Sequence, residues 1–149
     1  MSASVRAALP EEVDRVLSMY EWLFAPPGSV PPRWDPEWAA KAIAETIEGP
    51  DSVALVAEHR SDLLGLCTAY IELRSVRFGV RCWVEDLMVS PEHRSEGVGK
   101  ALLDAAKDWG RAHGATHLEL DSGEARAEAH RFYEREKPSW RSKQYTWEL

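Results

Sequence analysis

The segment from Cys82 to Leu103 reads CWVEDLMVSPEHRSEGVGKALL, and it limits the fold more than any other part of the chain. A mostly apolar, strand-like run stops at the turn-forming Pro91, passes two glycines two residues apart, and enters a helix-period pattern. A strand that delivers consecutive backbone N–H groups into a helix start makes an anion cradle. The amides lack acceptors, the helix dipole is positive there, and glycine lets a ligand approach the backbone. The loop also admits a plainer reading, a helix entrance whose glycines only relieve crowding. Nucleotide readings fail. A P-loop needs GxxxxGK[ST], but Ala101 follows Gly99-Lys100 and Arg94 stands at the first glycine position. A dinucleotide loop needs GxGxxG, and Leu102 occupies the third glycine position.

Elements on either side can be placed by periodicity. Residues 5–9 suit a short strand, and Pro10-Glu11-Glu12 opens a helix carrying Val13, Val16, Leu17, Tyr20 and Phe24 on one face. Residues 25–36, APPGSVPPRWDP, are too rich in proline for regular structure, and Asp35-Pro36-Glu37 restarts a helix that runs to about Glu48. Strands are expected at 52–58, 64–73, 80–89 and 116–120. A helix is expected over 97–113 and another around Ala125, Ala129, Phe132 and Tyr133, and the tail SWRSKQYTWEL reads as one last strand. The order β-α-α-β-β-β-α-β-α-β predicts a single α/β domain over residues 1–149.

Charge and cysteine usage narrow the partners. With 25 acidic against 18 basic side chains the net charge is −7, which disfavours nonspecific nucleic-acid binding and is compatible with a cationic small molecule. Cys67 and Cys82 lie in strand-like runs without CxxC or zinc spacing, so both read as reduced core residues and no metal site is expected. The N-terminal MSASVRAALPEEVDRVL lacks the basic and apolar regions of a signal peptide, and no apolar run is long enough for a membrane span. The expectation is a cytoplasmic chain with no nucleic-acid or membrane partner.

Arg94-Ser95-Glu96-Gly97-Val98-Gly99 matches the pattern R/Q-x-x-G-x-G/A, and through it the chain resembles the GNAT family of N-acetyltransferases. The resemblance extends over residues 80–136, through CWVEDLMVSP, VGKALLDAAKDWGRAHG, THLELDS and AHRFYERE in the family's order and spacing. It implies an α/β GNAT fold: a central mixed, mostly antiparallel twisted sheet flanked by helices, with the fourth and fifth strands splayed. Residues 80–136 would be the cofactor-binding core, and residues 1–50 would supply the acceptor-site helices and loop. The implied cofactor is acetyl-CoA. Its pyrophosphate would lie on the amides of Ser95, Glu96, Gly97, Val98, Gly99 and Lys100, with Arg94 at the loop entrance. Its pantetheine arm would pair with the backbone of Leu87, Met88 and Val89 as an extra strand would.

CWVEDLMV is apolar except at Glu85 and Asp86, an anomaly in a central strand. Such carboxylates must be paired, hydrogen-bonded or open to a cleft, and strand alternation turns only one of them to the cleft unless a bulge intervenes. An alkylammonium must lose a proton before attacking a thioester, and a partly buried carboxylate suits that task. The resemblance assigns Glu85 as the base, acting through water, and Asp86 as a substrate contact or structural partner. It assigns Tyr133 as the acid for the departing thiol, since a phenol of pKa ~10 can protonate a thiolate whose conjugate acid lies near ~8.5. Otherwise Tyr133 packs with Phe132, and either carboxylate forms a salt bridge to a helix.

Two departures from the family pattern stand out. Arg126 occupies the position of an asparagine that contacts the cofactor, which makes Arg126 the candidate there. Glu136-Lys137-Pro138 replaces a Gly-Phe turn, which predicts shortened C-terminal strands. Seven tryptophans are many for this length, and Trp22, Trp34 and Trp38 flank the proline-rich loop. With Glu21, Asp35 and Glu37 they suit an amine carrying apolar surface, or else they fill a core or a dimer contact. The resemblance therefore implies an acetyl-CoA-dependent N-acetyltransferase. It would act on a primary amine of a small molecule or peptide by direct attack in a ternary complex, with a homodimer expected by analogy alone. The competing reading is a non-catalytic acyl-CoA binding or sensing module.

Overall fold

A computed structural model describes residues 2–149. Five strands form one sheet in the order β1-β2-β3-β4-β5: β1 Ser4–Ala7, β2 Ser52–His59, β3 Asp62–Ile71, β4 Arg81–Val89 and β5 His117–Glu119. The first three pairings are antiparallel and β4–β5 is parallel. Helices α1 Val13–Ser18, α2 Tyr20–Phe24 and α3 Pro36–Glu48 connect β1 to β2; α4 Val98–Ala112 connects β4 to β5, and α5 Ala127–Arg135 follows. No helix among the described residues is long and apolar enough to cross a membrane.

The near-continuous apolar runs of β2 and β3 arise because both sheet faces are covered. Alternate residues Val53, Leu55 and Ala57 join Val98, Leu102 and Ala106 of α4 in one core. Between them, Ala54 and Val56 point the other way, to Val16, Met19, Tyr20 and Ile43 from α1 to α3. Leu102 and Leu66, one in each core, are fully buried, so truncating either to alanine is expected to cost about 2–5 kcal/mol. Gly65 admits α4 against β3, because a Cβ there would lie 2.9 Å from Leu102 Cδ1 and from the Met88 carbonyl oxygen.

The first helix breaks where the sequence periodicity is continuous. A 3-10 turn at Pro10–Glu12 precedes α1, and Met19 bonds back to the Val16 carbonyl before α2 begins. Glu12, only 5% exposed, anchors this start: it accepts the Leu9 amide at 2.8 Å, Arg6 at 2.8 and 2.9 Å, and Arg15 at 3.1 Å. α3 starts as its sequence predicts, with Asp35 accepting the Glu37 amide at 3.0 Å and Pro36 in the first turn.

The expected last strand does not form. Residues 137–149 carry neither helix nor strand. Lys137 takes the left-handed conformation (φ 55°) and Pro138 lacks an amide donor, so the chain turns away from a ladder. Trp140 instead packs over Phe78 at 5.3 Å between ring centroids, and Arg141 pairs with Glu134 at 2.7 Å. This leaves β5 as the edge of the sheet.

Candidate functional site

The glycine loop ends in an uncapped helix. Gly97, the residue before α4, adopts φ 87°, and no side chain caps the helix start. The first-turn amides of Val98, Gly99 and Lys100 have no acceptor among the described residues. A Cβ at Gly97 would meet no atom within 4 Å, whereas one at Gly99 would touch Phe132 of α5 at 3.5 Å. Ser95 is also left-handed (φ 62°), and Glu96 lies beside it, paired with His93 at 2.9 Å. Arg94 folds back so that its Nε donates to the Val89 carbonyl at 3.3 Å. The Lys100 ammonium faces away, bound to Asp104 at 3.0 Å and Glu136 at 3.2 Å.

Strand β4 reaches this loop with a free side. β5 pairs with it only at Arg81, Cys82 and Trp83, so the outer edge from Val84 through Leu87, Met88 and Val89 has no strand partner among the described residues. That gap is the splay between β4 and β5. One buried side-chain polar atom lacks a partner among the described residues, Ser122 Oγ just beyond β5. An uncapped helix start, an unpaired strand edge and an orphaned hydroxyl fit an extended ligand that carries phosphates at one end and hydrogen-bonding amides along its arm.

A bulge decides the placement of the two carboxylates. Asp86 is opposite Thr68 and Val84 is opposite Ala69, so Glu85 is an extra residue without a counterpart in β3. Strict alternation would send one carboxylate to each face; with the bulge, both line a single cavity of about 350 Å³. The expectation that one alone faces the cleft is therefore corrected. Glu85 is exposed at its rim, and partial burial raises its carboxyl, helped by Asp86. Asp86 is half-buried and also raised, chiefly by burial, against the lowering effects of Tyr20 and Arg126. The Tyr20 hydroxyl donates to Asp86 Oδ2 at 2.8 Å, and the Asp86 amide donates to Thr68 Oγ1 at 3.1 Å.

The remaining candidates separate. Burial pushes the Tyr133 phenol up to about 12, with Cys67 adding to the rise and Arg126 opposing it. Arg126 reaches across to donate to the Leu23 carbonyl at 3.0 Å, which locks the start of α5 to α2. Trp34 and the exposed Trp38 line the carboxylate cavity. Trp22 does not; it borders a separate hollow with Arg15, Asp62 and His93. It lies two residues after Tyr20 on α2, about 200° further round the helix, so the two rings face different sides.

A family model described as the Acetyltransferase (GNAT) family matches residues 16–136. The chain belongs to the GNAT family. This GNAT chain is 46% identical over 59 residues to Uncharacterized N-acetyltransferase YhdJ of Bacillus subtilis (strain 168), covering 40% of this chain and 42% of that protein. It is 32% identical over 100 residues to Uncharacterized N-acetyltransferase YhfO of the same organism, covering 67% of each. The match thus spans less than half the length of the first of these relatives. Among solved structures, an aminoglycoside N-acetyltransferase in complex with CoA superposes with a TM-score of 0.84 at 15% identity, over 99% of this chain and 94% of that one. At that identity the likeness shows a shared fold.

One site residue of this GNAT chain was hidden in the sequence. Tyr20 sits on the apolar stripe of the first helix, where its ring reads as packing. The only signal was general: a buried tyrosine hydroxyl needs a partner, and an orphan acid in a nearby strand is a good one.

Proposed function

We propose that the chain is an acetyl-CoA-dependent N-acetyltransferase that acts on a primary amine by direct attack in a ternary complex. The observation that carries this reading is the bulge at Glu85. It gathers two carboxylates in an aromatic cavity beside the same strand whose free edge leads to the uncapped amides of α4. Acetyl-CoA, when bound, supplies the acetyl group as a thioester.

Each residue then has a task. The amides from Ser95 to Lys100 hold the pyrophosphate, and the backbone of Leu87, Met88 and Val89 holds the pantetheine arm. Asp86, fixed by Tyr20, attracts the acceptor's ammonium group. Glu85, exposed and raised toward neutrality by partial burial, takes the proton that frees the amine lone pair. The amine forms its N–C bond as the C–S bond breaks. Of the two protons it sheds, one goes to solvent through Glu85; the departing sulfur receives one from Tyr133, which the second replaces. Tyr133 is suited to the donor role because burial keeps its phenol protonated. Arg126 supports the cofactor side by holding α5 against α2.

The deciding experiment combines calorimetric titration of acetyl-CoA with a thiol-release assay on primary amines, using the wild type and Glu85→Gln. Acetyl-CoA binding, thiol release and a loss of about 10²-fold in kcat/KM for the variant are expected. Binding without thiol release on any amine would favour a sensing module. Absence of binding would leave the glycine loop as a helix entrance.

A further inference from the structure

The cavity beside Glu85 and Asp86 is chemically lopsided. Two of its three carboxylates, Glu85 and Asp86, belong to β4, and its walls are rings: Trp34 lies 6.0 Å from Tyr20 between centroids with a tilt of 30°, and Trp38 stands 66% exposed at the mouth. Ala39, Ala42 and Ile43 of α3 complete an apolar side.

Three of the four hydroxyls around it already make hydrogen bonds, Tyr70 being the fourth. Tyr20 donates to Asp86, Thr68 Oγ1 accepts the Asp86 amide, and Thr46 donates to the Ala42 carbonyl at 2.8 Å. On the loop side the one carboxylate is Asp35, whose Oδ1 caps α3, and Arg33 sets a positive charge two residues before it.

We propose that the acceptor is a compact monoamine: one primary ammonium group on a short tether that carries an aromatic or similarly flat apolar body. Its ammonium sits at Glu85 and Asp86, and its body lies against Trp34 and Trp38. This rests on the transferase reading above. A polyamine places a second cation over apolar rings and toward Arg33, whose positive charge offsets that of Asp35. An aminosugar buries several hydroxyl groups against rings and alkyl side chains, which offer them no partner. A flat body gains both ring contact and cation–π attraction for the ammonium passing the tryptophans.

The test titrates 2-phenylethylamine, spermidine and neamine into the CoA-saturated protein by calorimetry, and assays thiol release from acetyl-CoA with the same three. The expected result is 2-phenylethylamine binding at least about tenfold more tightly than the other two, with the highest kcat/KM. Trp38→Ala, at an exposed position that leaves the fold intact, should weaken that binding about fivefold or more while acetyl-CoA affinity stays unchanged. Tight binding of 2-phenylethylamine without thiol release would support the acceptor class and overturn the transferase reading. Stronger binding or faster turnover of spermidine or neamine would overturn the acceptor class and leave the transferase standing. No detectable 2-phenylethylamine binding, or a Trp38→Ala protein that binds it as the wild type does, would also overturn the proposal.

Discussion

The hydroxyl of Tyr20 donates a 2.8 Å hydrogen bond to Oδ2 of Asp86, tying helix α2 to the bulged strand β4. Burial raises the Asp86 carboxyl, and this bond holds part of the rise back. In Tyr20→Phe the carboxyl should therefore rise further, moving the acidic limb of the kcat/KM profile to higher pH. Loss of a bond to a charged acceptor should also cost about 1.5–3 kcal/mol of stability at pH 7, read by urea denaturation. A carboxyl raised in the folded state favours folding in its protonated form. The deficit should accordingly shrink as pH falls from the variant's folded value to the lower folded value of the wild type, since the two unfolded chains titrate alike. An unmoved acidic limb would show that the Asp86 charge does not govern turnover.

Tyr133 should act through its proton and not through its ring. Burial keeps the phenol protonated, with a pKa near about 12. Tyr133→Phe is expected to lower kcat by about 10²-fold or more, with acetyl-CoA affinity by calorimetry within about twofold. A kcat loss below about threefold would remove Tyr133 from the reaction.

Gly97 and Gly114 make a matched pair at the two ends of α4. Both have positive φ, 87° and 85°, and a Cβ at either meets nothing within 4 Å. Alanine at each should cost a similar 1–2 kcal/mol, approximately, of left-handed strain. Gly97→Ala alone should weaken acetyl-CoA binding, by about tenfold, because its methyl enters the open space before the uncapped helix start. Equal affinities for the two variants in calorimetry would argue against phosphate at this loop.

Acid stability should depend on Glu12. Arg6 holds its carboxyl down at about 2 from an ordinary 4.5, with the Leu9 amide helping. A lowered carboxyl stabilises the fold above its unfolded pKa, and that stabilisation is lost as pH falls from about 4.5 toward about 2. Glu12→Gln should cost on the order of 2 kcal/mol at pH 7, discounted for the partly exposed Arg6. The difference between wild type and variant in thermal unfolding should narrow below pH 4, approximately, and a constant difference down to pH 2 would reject the mechanism.

Most of the sheet was legible because its strands are buried on both faces and read as apolar runs, and the glycine loop was legible because few folds use such a turn. The bulge was not. Glu85 and Asp86 are both acidic, so a one-residue slip changes no polarity pattern; only the register against Thr68 and Ala69 reveals it. The break at Met19 was hidden for a related reason, since Val16, Tyr20 and Phe24 keep helical spacing across it. In the tail, Tyr145, Trp147 and Leu149 alternate as a strand would, yet alternation cannot supply the partner that a strand requires. Trp22 and Trp34 looked equivalent beside the same loop, and the turn of α2 separated them.

Beyond Trp83 the outer edge of β4 has no strand beside it among the described residues. A ligand that pairs there in the folded chain alone adds stability by mass action, about 2.7 kcal/mol at a hundredfold excess over its Kd. That is a sizeable share of what holds a domain of this length together. The protein's lifetime would then follow the supply of its cofactor. Under scarcity, molecules would be lost to proteolysis as well as left idle, and the cell's acetylating capacity would fall more steeply than occupancy alone dictates.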